Sequence, residues 1–319
     1  MVQPERLAAR AERVAGGLAE LEQWLLDQVA RGISQLGQGG YGPIDQMAAR
    51  MIDAQAPGVA GLLRSLPGEL SGEGWPGRLL EQLGALHLLV QAHRRLDELP
   101  PDLAATVRSR IGYPISKADV LAAPGLQDHW YAVGAVDSTE GRLDTRRVWL
   151  YGQSSRRWAL LLSFAPAGGF LDDSVPAGRR LHATLHFYPG SGQYRALVGE
   201  RLDVLEPQAP PEPETYSELL DRFATLVAGD PWASRMPAVV EATATPARGK
   251  GGPWRLREAT GACQDVIDLP GEPWPMLART LARPAAIFGE WTPWGFRPLS
   301  LLPDDHGSVF SADIVGQAA

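Results

Sequence analysis

Cysteine, lysine and long apolar runs are scarce in this sequence. Only Cys263 among its 319 residues is a cysteine, which excludes an internal disulfide and any zinc site that needs two thiolates. Lysine occurs only at Lys117 and Lys250, so the other 28 of the 30 basic residues are arginine. The apolar run Trp158–Leu162 is among the longest, far below the ~20 residues of a membrane-spanning helix. We therefore expect no disulfide scaffold and no membrane partner, and a reducing cytoplasm fits the chain best.

Sequence motifs of catalysis and cofactor binding are also missing. A G-x-G-x-x-G match at Gly37, Gly39 and Gly42 follows a long helical pattern, whereas the dinucleotide-binding motif requires a strand before it. His182 and His186 would share one face of a strand, but no further metal ligand lies near them in the sequence. We therefore predict no catalytic residue, no metal ligand and no cofactor.

Charge is distributed unevenly along the chain. Thirty basic and 37 acidic residues give a formal net charge of −7, which argues against bulk nucleic-acid binding. Residues 124–199 nevertheless hold eight basic and six acidic residues, a balance of +2. Two arginine pairs flank a predicted hairpin there, and these are the candidate anion-binding residues: Arg146, Arg147, Arg156 and Arg157. Because adjacent strand residues face opposite ways, each pair offers only one arginine to a given face, and salt bridges compete for it.

The first 123 residues predict a helical bundle. A long helix is expected from Pro4 to about Leu36, because apolar residues recur at alternating steps of four and three. Its apolar stripe consists of Leu7, Ala11, Val14, Leu18, Leu21, Leu25 and Val29. Further helices are predicted at 45–55, 76–96 and 101–111. Antiparallel helices with such short connections form a small bundle.

The rest of the chain predicts antiparallel β structure in two parts. Residues 124–205 are predicted as a β section and residues 216–319 as a small α+β module that folds by itself. Between them, Glu206–Thr215 contains four prolines and three glutamates, a composition typical of a stiff linker. The predicted fold class is therefore α+β, with residues 1–123 as the N-terminal helical bundle.

One hairpin in the β section has a strand register that can be tested. Thr145–Tyr151 and Arg156–Phe164 are predicted as its strands and Gly152–Ser155 as its loop. Counting outward from that loop sets Trp149 directly opposite Trp158 on one face of the hairpin.

Several segments together resemble a known family. They are AARMIDAQAPG at 48–58, LHLL at 86–89, ATVRSRIG at 105–112, and FYPG at 187–190 with RAL at 195–197. They are similar to the region that follows the zinc finger in bacterial SWIM zinc-finger proteins, over roughly residues 4–200. That family's finger has the pattern C-x-C…C-x-H, which this sequence lacks and which a lone Cys263 cannot supply. We therefore expect a fragment, a shortened reading frame or a paralogue that has lost its finger, and we do not carry zinc binding over.

The resemblance implies a role in an assembly rather than a reaction. Proteins of this family are often encoded beside AAA+ ATPases of the MoxR type and von Willebrand factor A proteins, so it implies such protein partners by association. We therefore expect a non-enzymatic, cytoplasmic adaptor. Two alternatives stay open: a nucleic-acid-associated module that uses the arginine-bearing β section, and an enzyme of unrecognised type.

Overall fold

Two units make up the structure of the chain. The computed structural model describes residues 4–33, 35–36, 41–70, 74–140, 142–202, 209–246, 254–267 and 283–302. The helical unit is Met1–Ser116 with the short segments Pro189–Gly192 and Gly229–Trp232. The β unit is Lys117–Tyr188, Gln193–Ala228 and Ala233–Ala319.

The described residues of the helical unit form five α-helices. They are α1 (Pro4–Arg31), α2 (Gly42–Asp53), α3 (Pro57–Ser65), α4 (Trp75–Arg94) and α5 (Pro101–Ile111). Proline stands in the first turn of each of the last four, where its missing N–H would have had no partner within the helix. Gly112 ends α5 in the left-handed conformation, with φ of 101°, which glycine adopts without strain. None of the helices in the described part of the chain is long and apolar enough to cross a membrane.

The apolar stripe predicted for α1 lies in the core of the helical unit. Its buried members are Val14, Leu18, Leu21 and Leu25. Val29, in contrast, is 52% exposed, and α1 ends at Arg31 rather than near Leu36. The core also receives Met51 from α2, Leu63 from α3, Leu79, Leu83 and Leu86 from α4, and Val107 from α5. The predicted helix at 101–111 is confirmed with the same bounds.

The described residues of the β unit form ten strands and two α-helices. Helix α6 (Lys117–Ala122) precedes β1 (Leu126–Glu140), β2 (Leu143–Gly152), β3 (Trp158–Pro166), β4 (Arg180–Phe187) and β5 (Ala196–Leu202). Helix α7 (Tyr216–Gly229) precedes β6 (Met236–Thr245), β7 (Arg255–Arg257), β8 (Cys263–Asp265), β9 (Ala285–Thr292) and β10 (Gly295–Leu301). The predicted α+β class, with helices first and antiparallel sheets after them, is confirmed.

The two sheets have the same strand order. The first is β3-β2-β1-β4-β5 and the second is β8-β7-β6-β9-β10, so each has its first strand at the centre. A parallel bridge joins the two edges of each sheet. It pairs Leu160 with Arg195 in the first sheet and Val266 with Phe296 in the second. This is the order of five-stranded Greek-key barrels such as the OB fold. We call the two sheets the first and the second barrel.

A short sequence similarity accompanies this repeated topology. The N–H of Leu160 donates to the carbonyl of Tyr194 at 2.7 Å, and the N–H of Ile267 donates to the carbonyl of Phe296 at 3.0 Å. Each acceptor begins a segment of aromatic residue, arginine, one variable residue and leucine, Tyr194–Leu197 and Phe296–Leu299. The same local pattern therefore closes both barrels.

The barrels share a core within the β unit. The ring of Trp158 on β3 stacks on that of Phe288 on β9, with centroids 5.5 Å apart and planes 20° from parallel. The buried hydroxyl of Ser300 on β10 donates to the carbonyl of Val133 on β1 at 2.7 Å. Gly134 leaves room for this packing, since an added Cβ would lie 2.6 Å from Cδ1 of Phe288. The predicted sections 124–205 and 216–319 thus meet in one core, and their independence stays a prediction.

The predicted pairing of Trp149 with Trp158 is wrong. Trp158 lies opposite Tyr151, and Trp149 lies opposite Leu160. The cause is the loop, which runs from 153 to 157 between the two strands, whereas a loop at 152–155 was predicted. A two-residue shift preserves the alternation of side chains, so both tryptophans still face the same side of the hairpin.

The described part of the predicted linker Glu206–Thr215 is held in place. The N–H of Glu214 donates to the carbonyl of Val239 at 2.7 Å, and its carboxylate pairs with Arg222 at 2.7 Å. Pro211 is buried. Residues 206–208 lie outside the described residues. Residues 209–215 are therefore neither helix nor strand, and they are anchored to the β unit.

Candidate functional site

The outer face of the β2–β3 hairpin is covered at one end and exposed at the other. Trp149 and Trp158 are 2% and 8% exposed at the covered end, in the shared core. At the other end Leu143 is 44% exposed and Phe164 is 50% exposed. Both lie on the same face as the tryptophans, because alternate residues of a strand share a face and Thr145 pairs with Phe164. Phe170, in the turn after β3, is fully exposed.

We call these three residues the hairpin-end patch: Leu143, Phe164 and Phe170. Leu143 and Phe164 share one face of the hairpin, and Phe170 lies in the segment that follows β3, so three large apolar side chains are exposed near one end of the hairpin. Burying such side chains at an interface removes a large apolar area from water. The patch is therefore a candidate contact surface.

A buried carboxylate lies next to the covered end of the hairpin face. Glu290 on β9 has a side chain that is 1% exposed, and it accepts a hydrogen bond from the indole N–H of Trp149 at 3.1 Å. Its oxygens also lie near three guanidinium groups, at 3.0 Å for Arg235, 3.7 Å for Arg297 and 3.9 Å for Arg147. Since an unpaired buried carboxylate is costly, this arginine cluster supplies the partners that the buried Glu290 side chain needs.

The structure does not bring the four predicted anion-binding arginines together. Arg146 pairs with Asp137 through two hydrogen bonds of 2.8 Å, and this pairing raises the pKa of its guanidinium. Arg147 lies in the Glu290 cluster on the opposite face of the same strand. Arg156 and Arg157 lie at the other end of the hairpin. Arg157 rests 3.7 Å above the ring of Phe187, where burial lowers the pKa of its guanidinium.

One arginine of each pair, Arg146 or Arg156, lines an open groove. Arg146 lines a groove of about 450 Å³ at the seam where β3 and β5 diverge, together with Lys117 and Arg201. Arg156 lines a groove of about 310 Å³ beside Tyr151 and the extended segment near Pro210. Arg156 has a positive φ of 54°, which is uncommon outside glycine. Arg147 thus joins the Glu290 cluster, whereas Arg146 and Arg156 line two separate grooves.

The histidines considered as metal ligands have other contacts. His182 on β4 stacks on His129 of β1, with ring centroids 4.1 Å apart. His186 donates from Nδ1 to the carbonyl of Ala123 at 2.8 Å. Over the described ranges there is no group of three or more His, Cys, Asp or Glu side chains arranged to hold a metal ion. Cys263 is exposed, and Gly37 and Gly39 of the glycine motif lie outside the described residues.

Sequence reasoning missed Glu290, Arg235 and Arg297. One signal was present, because Glu290 interrupts an otherwise apolar strand, AAIFGEWT, and a glutamate there needs a buried partner. The partners themselves come from β2, from the residue before β6 and from β10, and no local pattern connects those positions.

Comparison with known proteins gives a family match for the helical unit. No curated protein and no solved structure matches the chain. Residues 9–111 match the sequence profile of the SWIM-associated four-helix bundle domain. This range covers α1 to α5 and most of the segments on which the resemblance rested. Residues 9–111 of this chain are therefore similar to the SWIM-associated four-helix bundle domain, in agreement with the resemblance found in the sequence.

Proposed function

We propose that this chain is a non-enzymatic interaction protein that binds protein partners through the hairpin-end patch. The observation that carries the proposal is the exposure of Leu143, Phe164 and Phe170 at one end of the β2–β3 hairpin. Large aromatic side chains supply much of the binding energy in protein interfaces. Exposure of these apolar side chains to water is unfavourable, and a partner that covers them removes that free-energy cost.

The covered end of the same face supports a protein partner over a nucleic acid. Trp149 and Trp158 are the side chains that would stack on bases, and the second barrel already occupies their surface through Phe288. The buried part of this face of the first barrel thus already packs against protein, namely the second barrel. The formal charge of −7 adds repulsion toward a polyanion.

The proposed partners follow from the family of the helical unit. SWIM zinc-finger proteins are often encoded beside MoxR-type AAA+ ATPases and von Willebrand factor A proteins, and we propose these as partners in the cytoplasm. In this proposal the helical unit and the β unit act as parts of one adaptor, and no chemistry is assigned to either.

A binding measurement with purified partners tests the proposal. The full chain is immobilised and titrated with the MoxR-type ATPase and the von Willebrand factor A protein of the same genome. We expect the double substitution Phe164→Ser and Phe170→Ser to weaken binding at least ~10-fold, because it removes two aromatic anchors. The matched control is Leu80→Ser with Leu88→Ser on α4, which are 51% and 46% exposed. Absence of binding to both partners, or equal loss in both double variants, would refute the proposal.

A further inference from the structure

The arginine cluster around Glu290 holds more positive charge than one carboxylate neutralises. Arg235 and Arg297 both pair with Glu290, so two guanidinium groups share one carboxylate and one positive charge remains among these three side chains. Each guanidinium carries five N–H donors, whereas a carboxylate offers about four acceptor positions. Trp149 already occupies one of these positions. Most of the guanidinium donors therefore point away from Glu290.

Two of the arginines are accessible from solvent and have no second acidic partner in the described part of the chain. Arg235 and Arg297 form ion pairs only with Glu290 there, at 3.0 and 3.7 Å. Their side chains are 43% and 20% exposed, so a ligand can reach them. The remaining N–H groups of a guanidinium keep a fork geometry that matches a carboxylate.

Strand register keeps the cluster rigid. Arg297 on β10 lies directly opposite Glu290 on β9. On the other side of β9, Pro237 of β6 lies opposite Glu290, and Arg235 precedes that strand by one residue. Backbone pairing thus holds Arg297, Arg235 lies directly before a paired strand, and the central carboxylate binds both, which lowers the entropy lost when a ligand binds.

The cluster is continuous with the hairpin-end patch. Arg147 on β2 lies opposite Leu162, and the next pair along that face is Thr145 with Phe164. Arg147 and Phe164 are therefore diagonal neighbours, about 7–8 Å apart between backbones. A ligand that spans both positions meets cationic groups at one end and apolar side chains at the other.

We infer that Arg235 and Arg297, positioned by Glu290, form an anion site that takes the carboxylates of an acidic segment in a protein partner. This inference rests on the proposed function, since it names the chemistry of the partner that covers the hairpin-end patch. Phosphate groups offer similar acceptors, but the exposed Phe164 and Leu143 beside the site suit a peptide with apolar residues next to its acids.

A peptide titration tests the inference without the partner. The probe is a fluorescein-labelled peptide of about twelve residues with glutamate at every second position and valine or serine between, and its counterpart has glutamine for glutamate. Anisotropy is measured on the full chain at ~150 mM salt, where weak surface attraction is screened. We expect the glutamate peptide to bind at least ~10-fold tighter than the glutamine peptide. We expect Arg235→Gln with Arg297→Gln to abolish that difference.

The controls separate a specific site from bulk charge and from loss of folding. Arg95→Gln with Arg255→Gln removes two exposed, ion-paired arginines elsewhere, and it should change affinity less than ~2-fold. Arg235→Lys with Arg297→Lys keeps the charge without the fork and should weaken binding, with circular dichroism unchanged.

Three results would overturn the inference. The first is that the wild-type chain does not prefer the glutamate peptide, and the second is that the control pair loses as much affinity as the cluster pair. The third is that a single-stranded oligonucleotide of about 20 nucleotides binds more tightly than the peptide, which assigns the site to nucleic acid. If the peptide titration fails while partner binding still depends on the hairpin-end patch, the proposed function stands. If the peptide binds as expected but the partners do not bind through the patch, only the proposed function is refuted.

Discussion

At the scale of single residues, the carboxylate of Glu290 stabilises the packed core because it pairs with the three arginines around it. Replacing Glu290 by Gln keeps the shape of the side chain but removes the negative charge that Arg147, Arg235 and Arg297 surround. The arginines are partly exposed, so water compensates some of the loss. We expect the free energy of unfolding of the β unit to fall by about 2 kcal/mol.

Urea unfolding followed by tryptophan fluorescence measures this loss. The matched control is Glu241→Gln, which changes an exposed glutamate on the neighbouring strand β6 and should leave the midpoint within experimental error. If the two variants unfold at the same urea concentration as the wild type, the cluster does not stabilise the core.

Asp128 gives a second residue-scale prediction, one that depends on pH. Burial alone would raise the pKa of its carboxyl, but hydrogen bonds from Ser155, Ser154 and His129 outweigh it, so the pKa lies below its usual value. A lowered folded-state pKa means that the charged form stabilises the fold above the unfolded pKa of about 3.9. That contribution disappears as the pH falls through the folded-state pKa.

The substitution Asp128→Asn tests this pH dependence. At pH 7 we expect the variant to be less stable by about 1–2 kcal/mol, because it loses hydrogen bonds to a charged acceptor. The difference should begin to shrink below the unfolded pKa of about 3.9, and the wild type and the variant should converge once the pH is below the folded-state pKa. Asp221→Asn, on the exposed side of α7, is the control for the removal of an exposed carboxylate. A gap between wild type and Asp128→Asn that persists at low pH would contradict the prediction.

At the scale of single elements, two glycines of the helical unit should respond oppositely to the same change. An added Cβ at Gly84, inside α4, meets no atom within 4 Å, whereas at Gly58, in α3, it would lie 2.2 Å from the carbonyl oxygen of Arg110. Alanine lowers the backbone entropy of the unfolded chain and favours a helix, so Gly84→Ala should stabilise the unit by about 0.5–1 kcal/mol. Gly58→Ala should destabilise it by about 1–3 kcal/mol, because backbone must shift.

Thermal unfolding of the two alanine variants checks this prediction, with each acting as the control for the other. A rise in the melting temperature for Gly84→Ala and a fall for Gly58→Ala are expected. A lower melting temperature for both variants would contradict the prediction, because it would mean that an added Cβ at Gly84 is not accommodated.

The elements of this protein differ in how far the sequence predicts them. The helix at 101–111 was predicted to the residue, because proline begins it and Gly112 ends it, and both signals are local. The register of the β2–β3 hairpin was wrong by two residues, since the alternation of side chains is the same for both registers and only the loop length distinguishes them. Periodicity in the sequence therefore predicts which side chains share a face of a strand more reliably than it predicts which residues pair across strands.

Candidate-site residues were predicted less well than elements for the same reason. Arg147 was among the predicted arginines, but its carboxylate partner Glu290 is 143 positions away in the sequence. Barrel closure also depends on distant residues, as with Leu160 and Tyr194. Such long-range contacts follow from the three-dimensional topology, and a single sequence contains no local pattern that specifies them.

At the scale of the whole molecule, the repeated barrel topology bears on which fragments can fold. The sequence predicted that residues 216–319 remain folded when expressed alone. The structure shows that this fragment contributes Phe288, Val239 and Leu299 to a core completed by Trp149 and Trp158 of the first barrel. Its own interior is separate, and it includes α7 residues such as Leu219. The isolated fragment therefore keeps its interior and exposes one apolar face.

These two facts give a specific expectation for residues 216–319. Helix α7 and the interior of the second barrel should give native-like circular dichroism, while the uncovered face around Phe288 should bind a hydrophobic dye and promote association. Adding residues 117–205 in trans should suppress dye binding, because Trp158 then stacks on Phe288 again. As the control, the 117–205 fragment with Trp158→Ser should suppress dye binding less than the unmodified fragment does. A fragment that is monomeric and dye-free by itself would show that the shared core contributes little to stability. A fragment that is wholly unfolded until residues 117–205 are added would show that the two barrels fold as one cooperative domain.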